Sequence, residues 1–247
     1  MNIDVLIPSK KTPDLTAAAI HSFDKFKGDI NLRYLIYENS SIDFSDTIKK
    51  ITPKFLFLTN PGGHKGGSWD NAHAIEELKP HVTAPYCFIC HSDTAALKRG
   101  WLDIFLEKYN NGNRLVGVRE DNGRINALHS SGLFLDKELL LSTPCWPQLD
   151  SQSSMKLDVT DSYTQYCRDN NLPYYRFKST FNDWEEILPL LAEPFNVPTH
   201  YKNGVARYYD IAVDDSLSPF FAHLGRGSHL PERHIQWYNF LHDCGAL

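Results

Sequence analysis

The sequence predicts an α/β protein: a mostly parallel central sheet flanked by helices, in a single continuous domain with an irregular C-terminal part. Three observations carry this. Short apolar runs alternate with amphipathic helical stripes four times within about the first 110 residues, the pattern of β-α units feeding a parallel sheet. No internal repeat, low-complexity linker or compositional break divides the 247 residues, a length that one large domain accommodates. An apolar fraction of 42%, with 13% aromatic, supplies a sizeable core and excludes wholesale disorder.

The elements follow in order. Residues 4–7 (DVLI) read as the first strand. Thr12-Pro13-Asp14 offers an N-cap with proline in the first turn, and Leu15, Ala19, Phe23 and Phe26 then form a helical stripe. The second strand is 32–37 (LRYLIY), and a capped stretch from Ser45 leads to the third, 55–58 (FLFL). A loop with four glycines, 60–68, precedes a helix from Ser68 that carries Trp69, Ala72, Ile75 and Leu78 on one side. The run PYCFIC, ending at Cys90, is the fourth strand, and Trp101, Leu102, Phe105, Leu106 and Tyr109 mark the next helix. The remainder is less regular. RLVGV, GLFL and PYYRF read as strands, a helix runs from Asp158 or Val159 to Asp169, and another covers residues 235–241.

Charge and cysteine content narrow the function classes. Lys plus Arg is 25 against 30 for Asp plus Glu, a net charge of −5, which gives no general attraction to nucleic acid or an anionic membrane. No stretch approaches the roughly 20 apolar residues of a transmembrane segment, and MNIDVLIPSKK turns polar too soon for a signal peptide. A cytoplasmic location is expected. Five cysteines without framework spacing are expected to be thiols. Cys87, Cys90 and His91 spell C-x-x-C-H, the haem attachment pattern, but on a buried strand the two thiols face opposite sides, so buried cysteines are expected instead.

Ligands of open α/β sheets bind beyond the carboxyl ends of the strands. Those positions hold Pro8-Ser9-Lys10, Glu38-Asn39-Ser40-Ser41, the glycine loop with Lys65 followed by Asn71, and His91-Ser92-Asp93. The loop can present backbone N–H groups to an anion, yet it is not a P-loop, because Gly67 is followed directly by Ser68 with no lysine between. Asp93, following a buried strand, suits a hard divalent cation that also touches phosphate. The same residue equally fits a helix N-cap for 94–97.

The order IPS, ENSS, glycine-rich loop with Asn71, FICHSD and then GWL resembles the family-2 glycosyltransferases of the GT-A fold over about the first 140 residues. The resemblance implies a nucleotide-sugar-binding half over about 1–110 and an acceptor-binding half over about 111–247. It implies a nucleoside diphosphate sugar donor of UDP or dTDP type, a glycan or other hydroxyl acceptor, and Mn²⁺ or Mg²⁺. Pro8, Ser9, Glu38, Asn39, Lys65, Asn71, His91 and Ser92 are then expected on the donor and Asp93 on the metal. The family's D-x-D appears here as His91-Ser92-Asp93, with only the last carboxylate retained, and Glu38-Asn39 replaces the commoner acidic pair.

The family's general base sits in an acidic pair opening a helix in the second half, and LDVTDSYTQYCRD offers Asp158, with Asp161 as the alternative. Both also fit plain helix-start roles. The segment FFAHLGRGSH, 220–229, adds Arg226 and Ser228 for the diphosphate and His223 or His229 for the metal. A nucleotidyltransferase and a non-catalytic nucleotide- or carbohydrate-binding module are the alternatives. The first is expected to carry a glycine- and Arg/Lys-bearing loop straight after the first strand, and IPSKKTPD has no glycine.

Overall fold

The computed structural model describes residues 1–60, 66–121, 125–147, 157–196, 209–225 and 230–247. The first half runs β1 (Asn2–Ser9), α1 (Pro13–Phe26), β2 (Asn31–Glu38), α2 (Ser45–Ile51), β3 (Phe55–Thr59), α3 (Ser68–Leu78), β4 (Tyr86–Ile89), β5 (Thr94–Ala96) and α4 (Trp101–Asn110). The second adds β6 (Leu115–Gly117), β7 (Glu120–Asp121), β8 (Ala127–Leu128), β9 (Leu133–Asp136), α5 (Lys137–Ser142), α6 (Asp161–Asp169) and β10 (Tyr174–Arg176). It closes with β11 (Lys178–Ser179), α7 (Trp184–Ile187), β12 (Asp210–Val213), β13 (Pro219–His223) and α8 (Pro231–Asp243).

The central sheet has seven strands in the order β10-β6-β9-β4-β1-β2-β3. Every neighbouring pair is parallel except those of β9, which runs against both β4 and β6. The expected α/β sheet is therefore present. A second, antiparallel sheet, β11-β12-β13-β5, was not evident from sequence. Residues 94–96 belong to it, so they form a strand and not a helix capped by Asp93. Three small residues carry little periodicity, and it is pairing with β13 that makes them a strand. At the far end α8 starts four residues before the expected 235, with proline in its first turn, where a missing N–H costs nothing.

Side chains on the two faces of the central sheet enter separate cores. Ile3, Val5 and Ile7 of β1 join Phe23, Phe88, Trp101, Phe105, Phe134 and Phe221 on one side. Leu6 joins Ile75, Leu78, Cys87, Ile89 and Tyr163 on the other. Each such fully buried large side chain contributes about 1.5–3 kcal/mol. Cys87 and Cys90 fall in different cores, and burial pushes both thiols well above the ordinary range, so C-x-x-C-H is a strand pattern and not a haem or redox pair. Asp4 lies in the middle of β1 but is satisfied: it accepts from Arg33 through both oxygens at 2.8 Å and from the N–H groups of Thr83 and Ala84. Among the described residues no helix is long and apolar enough to cross a membrane.

Candidate functional site

The parallel register sets Ser9 beside Glu38, so β1 and β2 end together, and the N–H of Cys90 closes onto the carbonyl of Leu6 beside them. The strand ends thus make one edge. Glu38 is fully buried there, and its carboxylate accepts from the Ser9 hydroxyl at 2.7 Å, the Lys11 N–H at 2.8 Å and the Ser40 hydroxyl at 2.5 Å. Three donors from its own chain occupy a group expected on the donor nucleotide. Asn39 differs. Its Nδ2 donates to the carbonyls of Asp70 (3.2 Å) and Ser9 (3.4 Å), whereas its buried Oδ1 meets no donor among the described residues. Pro8 is buried within β1, and Asn71 stands in the first turn of α3. Thr12 does not cap α1 through its side chain; its hydroxyl meets that of Ser92 at 2.9 Å. Asp70, not anticipated, is buried and binds both Lys10 (2.6 Å) and the N–H of Gly66.

Beyond β4, three residues converge. Ligating atoms of His91, Asp93 and His223 all lie within 4.8 Å of one another. The fold causes this: β13 pairs with β5 so that His223 lies opposite Thr94, and the N–H of Leu224 donates to the carbonyl of Asp93 at 2.8 Å. His223 Nε2 stands 3.4 Å from Asp93 Oδ1, and His91 Nδ1 stands 4.0 Å from the same oxygen. Nε2 of His91 is engaged by the Ser130 hydroxyl at 2.8 Å, which leaves Nδ1 facing the cluster. Burial, aided by His223, pushes the His91 imidazole down to about 3, so its ring is neutral and its nitrogen free to ligate near pH 7. Burial opposes charge on Asp93 too, but His223, through its charge and hydrogen bond, outweighs it and holds the carboxyl below the usual range. Burial likewise disfavours the His223 imidazolium, and Asp93 and Asp210 on either side reverse that.

Two imidazoles and one carboxylate form a donor set that suits a borderline transition ion better than Mg²⁺, which takes oxygen ligands. His91, expected on the donor from its place in the sequence, stands with Asp93 and His223 instead. His129, which sequence reasoning missed, packs its ring 5.3 Å from that of His91 and 6.1 Å from that of His223, and its Nδ1 accepts the Ser131 N–H at 3.1 Å. Nothing in the local sequence marks it, because β7, β8 and the return to β9 are each too short to show a pattern.

Helix α6 starts at Asp161, three residues later than the earlier of the two expected starts. Asp161 is fully buried, and its carboxylate accepts the Asp158 N–H at 2.8 Å, fixing the chain at the helix entrance. Asp158 is half-buried, and its Oδ1 accepts the N–H of Val159. The helix is tied toward the histidines, since its Thr164 hydroxyl accepts the N–H of Leu128, the residue before His129. Lys65, Arg226, Ser228 and His229 lie outside the described residues.

No family model and no curated protein sequence matches the chain. Solved structures do. The mannosyltransferase PcManGT from Pyrobaculum calidifontis superposes at a TM-score of 0.51 with 12% identity, over 70% of this chain and 54% of that one. Glucosyl-3-phosphoglycerate synthase from Mycobacterium tuberculosis gives 0.48 and 14%, over 71% and 69%. A 4-diphosphocytidyl-2C-methyl-D-erythritol synthase gives 0.42 and 13%, over 71% and 87%. The chain therefore has a GT-A-like fold. It spans about half the length of the mannosyltransferase it matches.

Proposed function

We propose that the protein is a glycosyltransferase that moves a sugar from a nucleoside diphosphate sugar to a hydroxyl acceptor with inversion. The convergence of His91, Asp93 and His223 at the carboxyl edge of β4 carries this reading. The mannosyltransferase of the same fold is described in complex with GDP-Man and Mn²⁺, which supports a divalent ion and a nucleotide sugar here. These three residues would hold the ion, which when bound supplies positive charge against the diphosphate leaving group. Such a diphosphate carries about two to three negative charges near neutral pH, more than one divalent ion offsets. Arg226 and Ser228, with His229 nearby, are proposed to supply the remaining donors, and Lys65 and Asn71 to contact the donor from the glycine-loop side.

Asn39 is the residue proposed to read the base. With Nδ2 committed to main-chain carbonyls, its unsatisfied Oδ1 would accept a ring N–H, as uracil, thymine or guanine offers. Asp158 is the proposed base. It is half-buried and stands three residues before α6, whereas Asp161 is enclosed and its carboxylate is taken by its own chain. As the acceptor oxygen bonds to the anomeric carbon, the bond from that carbon to the diphosphate breaks on the opposite face and the acceptor proton passes to Asp158. The test is a panel of nucleotide sugars incubated with purified protein and Mn²⁺, assayed for free nucleoside diphosphate. We expect release from a uridine or thymidine donor that rises with a sugar acceptor. Release of pyrophosphate from nucleoside triphosphates, with none from any nucleotide sugar, would replace this reading by nucleotidyl transfer. Tight donor binding without any release would leave a binding module.

A further inference from the structure

A buried relay stands behind the histidine that closes the candidate metal cluster. His223 and Asp210 face each other directly across the β12–β13 ladder, which places Nδ1 of the imidazole 3.3 Å from Oδ2 of the carboxylate. The same Oδ2 accepts from Nη1 of Arg119. All three side chains are buried, with 10%, 7% and 6% exposure for Arg119, Asp210 and His223. An ion pair this deep is weak support for stability, because desolvating both charges offsets most of their attraction. A positioning role accounts for it better.

We propose that Asp210, held by Arg119, is the positioning residue that fixes the His223 ring so that Nε2, and not Nδ1, is presented to the metal. The proposal rests on the metal reading above. Nδ1–H donating to Asp210 keeps a hydrogen on that nitrogen, so Nε2, 3.4 Å from Asp93, is the nitrogen that would give up its proton to take an ion shared with that carboxylate. The cavity that Arg119, Asp210 and His223 line with Ser131, Ser179 and Phe221 has a volume of about 10 Å³, room for about one water. Arg119 joins a second part of the cluster as well, because its carbonyl accepts the N–H of His129 at 3.0 Å. The relay thus ties the second sheet to the segment that carries the neighbouring histidine.

The experiment measures metal affinity directly, by competition with a chromogenic chelator, on the full chain with Mn²⁺. Loss of a group that orients a ligating histidine typically weakens binding about 10–100-fold. We expect that loss in Asp210→Ala, which removes the acceptor, and partial recovery in Asp210→Asn, whose amide oxygen still accepts from Nδ1. Unchanged affinity in a folded Asp210→Ala protein overturns the relay. A second measurement needs no variant: in the unaltered protein labelled with ¹⁵N-histidine and loaded with diamagnetic Zn²⁺, His223 should keep its hydrogen on Nδ1 with Nε2 shifted by the metal. Metal on Nδ1 overturns the proposal whatever the variants do. If the unaltered protein binds neither ion, the metal reading fails and the relay with it; binding with the wrong nitrogen refutes the relay alone.

Discussion

Chemistry-bearing residues divide by what their own chain already demands of them. Glu38 and Asp161 are enclosed carboxylates whose acceptors are taken by neighbouring donors, and both are expected to act on stability. Glu38→Gln loses charge-assisted bonds and leaves an amide among donors, so it should cost about 2 kcal/mol. Urea unfolding measures this, and an unchanged midpoint would show that the network is dispensable. Asp158→Asn should instead lower transfer by about 10²–10⁴ at nearly unchanged donor affinity. Inactivation by Asp161→Asn with Asp158→Asn fully active would reverse the two roles. Asp93 and His223 were legible because each stands beside an apolar run at a strand end. Asp210, Arg119 and His129 were not, since cross-strand pairing over 13 residues brings Asp210 to His223 and a side-chain ion pair over 91 residues brings it to Arg119, and no local spacing encodes either.

Among the elements, the first four parallel strands were legible because each is a short apolar run, and stripes of helical spacing follow the first, third and fourth. The second sheet was not. Its strands are two to five residues long and draw their conformation from each other. One junction in that region has a readable pH dependence. Asp183 precedes α7 and accepts from Arg176 through both oxygens, at 2.5 and 3.0 Å, and from the Ser179 N–H at 3.0 Å, joining β10 and β11 to the helix. Burial alone would raise its carboxyl, but Arg176 and Ser179 outweigh this and hold it below the usual range. A folded value below the unfolded value of about 3.9 stabilises the native state above that pH, and the contribution disappears as pH falls through the folded value. Asp183→Asn should therefore unfold at lower urea than the unaltered protein near pH 7, with the gap shrinking toward about pH 3. A gap that stays constant across this range would mean that the charge contributes nothing.

Across the whole molecule, the candidate metal site joins distant parts of the chain. His91 and Asp93 follow β4 of the central sheet, while His223 ends β13 of the second sheet, so an ion held by all three fastens one sheet to the other. Those ligands are assembled only in the folded state, and a ligand that binds only the native state stabilises it by mass action, about 2.7 kcal/mol at a hundred times its dissociation constant. For a chain of roughly this size each kcal/mol moves the melting temperature by about 2–4 °C, which gives an expected rise of about 5–10 °C under saturating Mn²⁺. The donor set adds a ranking. Imidazole nitrogens favour Mn²⁺ over Mg²⁺, which dehydrates reluctantly and takes oxygen ligands, so Mg²⁺ should produce a clearly smaller rise at equal concentration. Thermal melts with each ion, repeated after chelation and on His223→Ala, decide the matter. A Mn²⁺ rise that survives in His223→Ala would place the ion elsewhere, and equal rises with both ions would mean that oxygen ligands, not the two histidines, dominate its binding.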